Sequence, residues 1–240
     1  MKMATRGKYL KALGVETWTR RNKPVEAIAA AVVEPAGMRS APSMDFTQPE
    51  WGALRAAVKD CRQCGLCETR TQTVFGVGPE TAPLMVVGEG PGADEDAQGE
   101  PFVGRAGKLL DEMLKSIGHT RKTNTFIANV VKCRPPGNRE PSEEEAEACQ
   151  DYLIAQIRLV KPALILALGR IAAQRLLFTE EPLARLRGPL HHWGPDKVPL
   201  MVTYHPAYLL RSPGEKAKSW DDLKKVHRFL QLPTRQAEML

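Results

Sequence analysis

No apolar run in the 240-residue chain approaches the roughly 20 residues that a bilayer-spanning helix requires. Its opening, MKMATRGKYLKALG, lacks a secretory apolar stretch ahead of a small-residue cleavage site. A cytoplasmic protein with no membrane partner is therefore expected. There is no internal repeat, and a dinucleotide fingerprint is missing too, because Pro91 interrupts the glycine-rich turn GEGPG and the spacing is not GxGxxG. Acids are fewer than bases, 28 against 34, leaving a formal charge of +6 that favours a polyanionic partner without naming one. Cysteine is sparse, five in all. In a reducing compartment these thiols are metal ligands, catalytic groups or core fillers rather than disulfides.

What is present is enough apolar residue, 42% of the chain, for one main domain with length to spare. Short β-rich runs at 84–89, 125–131, 163–168 and 199–203 alternate with helical patterns near 104–117, 142–160 and 169–178, which argues for a parallel sheet covered on both faces. Ser142 followed by Glu145 is a capping-box start, and Glu143 and Glu144 suit a positive helix N-terminus. A last amphipathic stretch, 216–230, carries Lys216, Lys218, Lys224, Lys225 and Arg228 on its polar positions, a solubilising face first and a DNA contact second. Residues 24–48 mix Pro, Ala, Ser and Met without a period and read as a linker. The core domain is expected over 49–232, with 233–240 as a tail. Residues 1–23 contain KYLKALGVETWTRRN, too short for a core of its own and suited to docking on a partner.

Two places carry chemistry. The loop GEGPGADEDAQGEPFVG, residues 88–104, follows the apolar run APLMVV and so falls at the carboxyl end of a strand, where open α/β sheets place ligands. Three cysteines sit in CRQCGLC, Cys61, Cys64 and Cys67, while Cys133 follows a strand and Cys149 lies in the next helical pattern. Four such thiolates close either a tetrahedral zinc site or a [4Fe–4S] cube, and spacing does not choose between them.

CRQCGL, FGVG, GEGPGADEDAQGEPFVGRAGKLLDEML, FIANVVKCRPPGNREPSEEEAEAC and HPAYLLR together closely resemble the family 4 uracil-DNA glycosylases over roughly residues 50–232. The resemblance implies a three-layer α/β/α sandwich around a four-stranded parallel sheet, and uracil-containing DNA as substrate. It also implies a [4Fe–4S] cluster held by Cys61, Cys64, Cys133 and Cys149, with Cys67 spare. The segment YLKALGVETWTRRN is similar to the opening peptide of the DNA polymerase III psi subunit, which implies clamp-loader subunits as partners through residues 1–23.

A glycosylase must extrude its base, hold it by the pairing edge and stabilise the charge that accumulates as uracil departs. By resemblance, Phe102 supplies the stacking face and Asn129 reads the edge. The amide donates to uracil O4 and accepts from N3–H, whereas cytosine reverses both groups and would leave each partner unpaired, at about 1–3 kcal/mol apiece. His205 in HPAYLLR is the candidate donor beside uracil O2. Glu89 and Glu95 are the acids left for positioning water or supporting the sugar cation, with the choice between them open. Gly90 stands where relatives outside the family carry an aspartate, so catalysis is expected to lean on the leaving group, and Gly90 and Gly92 allow backbone to approach the base. The loop motifs place no lysine for a Schiff base, and RPPGNREP, residues 134–141, lacks the reactive histidine of covalently trapping relatives, so hydrolysis to an abasic site is expected. Leu209 or Leu210, with Arg211, are candidates for a wedge that fills the vacated stack. His191 and His192 are expected in a loop without a role. The competing readings are a catalytically inactive iron–sulfur adaptor of the replication machinery and an iron–sulfur electron carrier; the second has no use for a base-reading set.

Overall fold

Alternation along the apolar runs sets the architecture. In a strand successive side chains point to opposite faces, and in this chain both faces are apolar. The computed structural model describes residues 49–232; the expected docking peptide 1–23, linker 24–48 and tail 233–240 lie outside the described residues. In chain order the regular elements are α1 (Trp51–Lys59), α2 (Leu66–Thr69), β1 (Leu84–Gly88), α3 (Ala93–Gln98), α4 (Arg105–Lys115), β2 (Thr125–Asn129), α5 (Glu143–Val160), β3 (Leu164–Leu168), α6 (Gly169–Leu177), α7 (Leu183–Leu186), β4 (His191–Trp193), β5 (Val198–Thr203), α8 (Pro206–Arg211) and α9 (Lys216–Gln231).

The strands form one sheet in the order β2-β1-β3-β5-β4. β1 lies parallel to β2 and β3, and β3 parallel to β5, with Val86 level with Ile127 and Leu166. Met85, Val87, Phe126, Ala128, Ile165 and Ala167 face one core, completed by Leu54 and Val58 of α1, Tyr152 and Leu153 of α5 and Leu176 of α6. Leu84, Val86, Ile127, Leu164 and Leu166 face the other, closed by Leu110 and Leu114 of α4 and Val226 and Phe229 of α9. Every residue of β1, β2 and β3 is buried, as strands covered on both faces must be. Each large side chain sealed this way contributes about 1.5–3 kcal/mol. The capping box at α5 forms as read: Glu145 N–H donates to Ser142 Oγ at 3.2 Å and Ser142 N–H to Glu145 Oε2 at 2.8 Å.

The expected α/β sandwich around four parallel strands is present, and a fifth strand is added: β4 pairs antiparallel with β5 at the sheet's edge, His191 opposite Leu200 and Trp193 opposite Val198. His191 and His192 therefore lie in a strand rather than a loop. Three residues, two of them polar, carry no readable period; the tight turn Gly194–Lys197, closed by Lys197 N–H to Gly194 O at 3.2 Å, folds them back onto β5.

Because β1, β2, β3 and β5 run the same way, Gly88, Asn129, Leu168 and Thr203 all end at one edge of the sheet. The loops that follow them meet there.

Candidate active site

Gly88 and Asn129 are level with each other at the ends of β1 and β2. A Cβ on Gly88 would stand 2.5 Å from Asn129 Oδ1 and 2.5 Å from Phe102 Cζ, so only glycine leaves room for the ring and the amide to meet there. The Asn129 side chain is 1% exposed, and its Oδ1 accepts no hydrogen bond. Its backbone carbonyl is braced from behind: Lys132 Nζ donates to Asn129 O at 2.7 Å and to Gln156 Oε1 at 2.6 Å, and Gln156 Nε2 donates to Phe75 O at 2.8 Å. Lys132 is fully buried, which lowers its pKa to about 8.

Phe102 is held in a conformation that phenylalanine rarely adopts, with φ of 57°. Arg121 fixes it there, donating from Nη1 to Pro101 O at 2.8 Å and from Nη2 to Phe102 O at 2.7 Å, while its Nε is anchored on Asp111 Oδ1 at 2.8 Å. Gly107 permits the fold-back, since a Cβ there would lie 1.8 Å from Phe102 O. Glu95 ties down the rest of the loop. Its Oε2 accepts from Gly92 N–H at 3.0 Å and its Oε1 from Val103 and Gly104 N–H at 2.9 and 3.1 Å.

His205 is the N-cap of α8, and its Nδ1 accepts from Ala207 N–H at 3.2 Å. An accepting Nδ1 leaves the ring proton on Nε2. Burial first, and then the Arg211 cation, push the His205 pKa down to about 4 against an opposing pull from Glu95. The imidazole is thus a neutral donor near pH 7. Its ring centroid lies 5.5 Å from that of Phe102, with the planes 34° apart. Glu89, half-buried, has its pKa raised by burial and then by Glu140, with Arg170 opposing.

Glu89, Gly90, Glu95, Phe102, Asn129 and His205 share the wall of one cavity of about 510 Å³, to which Tyr208 and Arg211 also contribute. That volume is within the range of small-molecule sites. Leu209 does not belong to it: at 1% exposed it packs in the core beside Leu110 and Val226. Its burial helps pack α8 against α4, and a wedge role would require the side chain to leave the core. Leu210 is half-buried and does not contribute to the cavity wall. Arg121, Gly107, Lys132 and Tyr208 were not singled out from the sequence.

The cysteines gather on the α1 side. Cys61, Cys133 and Cys149 are buried, Cys64 and Cys67 partly so. Arg70 Nη1 donates to Cys133 Sγ at 2.9 Å and its Nη2 to Cys61 O at 2.7 Å; Lys132 N–H donates to Cys149 Sγ at 3.3 Å. Burial raises the Cys64 and Cys133 thiols, with the neighbouring Cys61 adding to both, and burial lifts Cys149 to about 12 with Cys133 and Cys61 adding to it. Among the described residues no three His, Cys, Asp or Glu side chains converge on a point that one metal ion could occupy. A four-iron cube bonds each thiolate to a separate corner, so its ligands need not converge. Four neighbouring thiols, two of them receiving N–H donors, are a donor set that fits such a cluster.

The profile of the uracil DNA glycosylase superfamily matches residues 75–224. A type-4 uracil-DNA glycosylase of Archaeoglobus fulgidus is 47% identical over 176 residues, covering 70% of this chain and 87% of the relative. The chain belongs to the type-4 uracil-DNA glycosylase family. A further type-4 member, from Thermotoga maritima, is 42% identical over 177 residues, 72% of this chain and 91% of that one. The type-5 uracil-DNA glycosylase of Thermus thermophilus is more distant, 29% identical over 150 residues, 55% of this chain and 68% of its own. The α/β sandwich of this type-4 family member is accordingly expected to place its ligand where the strand ends meet. Among the described residues no helix is long and apolar enough to cross a membrane.

Proposed function

We propose that this protein excises uracil from DNA by hydrolysing the N-glycosidic bond, leaving an abasic site for repair. The single observation that carries the reading is the Asn129 carbonyl oxygen, buried at the cavity wall with nothing donating to it. A buried acceptor without a partner is costly by about 1–3 kcal/mol in the free protein, and the group that relieves it is an N–H presented from the cavity. Uracil N3–H is such a donor, with O4 beside it to accept from the amide nitrogen. Cytosine N3 is an acceptor and would face Oδ1 lone pair to lone pair.

Placement in the cavity wall supports the remaining roles. Phe102, kept upright by Arg121, offers its ring to an extruded pyrimidine. His205 donates Nε2–H to uracil O2, where charge grows as the bond to the sugar lengthens; a preoriented donor is worth most for charge present only in the transition state. Its neutrality keeps the ring from binding the backbone phosphates as a cation. Glu89, in the cavity wall, positions the attacking water or supports the sugar cation. Glu95 acts on the loop instead, since both of its oxygens are engaged by backbone N–H groups. Among the described residues no lysine contributes to the cavity wall, and the nearby Lys132 spends its ammonium on Asn129 O and Gln156. That supports water rather than an amine as nucleophile.

Cys61, Cys64, Cys133 and Cys149 would hold a [4Fe–4S] cluster, which would tie the end of α1 to the loop after β2 and to α5. Cys133 follows Asn129 by four residues, so the cluster would brace the strand end that carries the base reader. Residues 1–23, by their likeness to the psi peptide, would link excision to the replication clamp loader in the cytoplasm. The test of the central reading is release of free uracil from a uracil-containing oligonucleotide, with an alkali-labile site left at that position. An intact oligonucleotide after prolonged incubation would leave the inactive adaptor as the better reading.

A further inference from the structure

Extruding a base leaves a gap in the stack, and a side chain that fills it must be exposed, largely apolar, rigid and next to the base pocket. We infer that Tyr208 is that side chain in this protein, an inference that rests on the glycosylase reading above. Leu209 is sealed in the core and Leu210 is off the cavity wall, whereas Tyr208 is 36% exposed and forms part of that wall. It sits in the same turn as the leaving-group donor, its N–H bonded to His205 O at 2.9 Å, so its distance from the reacting base is set by helix geometry.

What singles it out is the stack built behind it. The Tyr208 ring packs on that of Tyr204 with centroids 5.0 Å apart and planes at 37°. Tyr204 in turn has the Arg187 guanidinium over its ring, 4.0 Å from the centroid. Arg187 is immobilised by Asp222, whose Oδ2 accepts from Nε at 3.0 Å and from Nη2 at 2.8 Å, and Asp222 also accepts from Thr203 Oγ1 at 2.8 Å at the end of β5. Asp222 is buried, so this ion pair is a fixed post. An aromatic side chain with two rotatable bonds, backed by such a post, loses little entropy when a base stacks on it. Arg211, one turn on and exposed at the cavity rim, is left to neutralise a flanking phosphate.

The test compares the full-length wild-type protein with Tyr208→Ala, Tyr208→Phe and Leu210→Ala. The substrates are uracil in a single strand, in a duplex, and in a duplex with a pyrene nucleotide opposite it. A single strand has no opposing stack to refill, so Tyr208→Ala is expected to lower the ratio of duplex to single-strand kcat/KM by roughly five- to hundredfold. Pyrene, which fills the gap from the other strand, is expected to restore most of that ratio, and Tyr208→Phe to retain it. Equal losses on both substrates, no recovery with pyrene, or the whole pattern appearing in Leu210→Ala instead would overturn the assignment. Fluorescence of 2-aminopurine beside a non-cleavable 2′-fluoro-deoxyuridine separates the two readings. Base extrusion without uracil release would count against glycosylase activity alone, and the wedge would still stand or fall on whether Tyr208→Ala abolishes the signal. Absence of extrusion in the wild type would overturn it.

Discussion

Asn129→Ala removes a buried acceptor that has no partner in the free protein and that, in the proposed reaction, pairs with the substrate. The two states therefore respond with opposite signs. In the free protein the lost oxygen relieves an unpaired group worth about 1–3 kcal/mol, offset by the packing of the amide against Phe102 and Gly88. The net change in stability is expected within about 1 kcal/mol of zero, tending to stabilise. In the complex two hydrogen bonds to uracil disappear and leave O4 and N3–H unpaired, at about 2–4 kcal/mol together, or roughly 30- to 1,000-fold in kcat/KM. The assay is uracil release under single-turnover conditions, alongside a denaturant melt. Unchanged release would refute the base-reading role. A loss of stability of more than about 2 kcal/mol, with activity falling in step, would refute the claim that the oxygen is held for a ligand.

His205→Ala is expected to lower kcat by about 100- to 1,000-fold while leaving DNA binding intact; undiminished turnover would remove its role. With a pKa near 4, His205 stays neutral from pH 5 upward and adds no step to the rate profile there. Glu89, whose pKa is raised by burial, is the group whose proton loss should increase the rate as pH rises, at a pH above the ordinary glutamate range. Glu89→Gln is expected to flatten that acid limb, and a limb surviving at the same pH would assign it elsewhere. For the cluster, the purified protein should be brown with broad visible absorption, whereas one zinc per chain and no iron would reject it. Deleting residues 1–23 is expected to abolish capture of clamp-loader subunits without slowing excision, and persistent capture would reject the tether.

The doubly covered sheet was readable from sequence because β1, β2 and β3 are continuous apolar runs with helices between them, and burial on both faces permits little else. The site loop was readable for a related reason: GEGPG follows β1, and a loop at a strand's carboxyl end has nowhere to go but the ligand edge. What supports the loop was not readable, because it comes from afar. Arg121 lies 19 residues beyond the Phe102 carbonyl it holds, and Gly107 looks like a weak position in a helix until the Phe102 backbone is seen crossing it. β4 was invisible for want of length.

The wedge shows where pattern reading stops and geometry begins. α8 runs only from Pro206 to Arg211, under two turns, so its periodicity cannot say which of three consecutive side chains faces the core. The phase is fixed from outside. His205 caps the helix with its Nδ1, and packing of α8 against α4 puts Leu209, four residues on, into the core cluster that contains Leu110. Tyr208 lies in the cavity wall, packed on Tyr204, which in turn carries Arg187. One hydrogen bond at the start of a six-residue helix thus makes Nδ1 of His205 an acceptor, three residues before the side chain proposed to meet the stack. Loss of the His205 cap should therefore disturb the placement of Tyr208 as well as the chemistry.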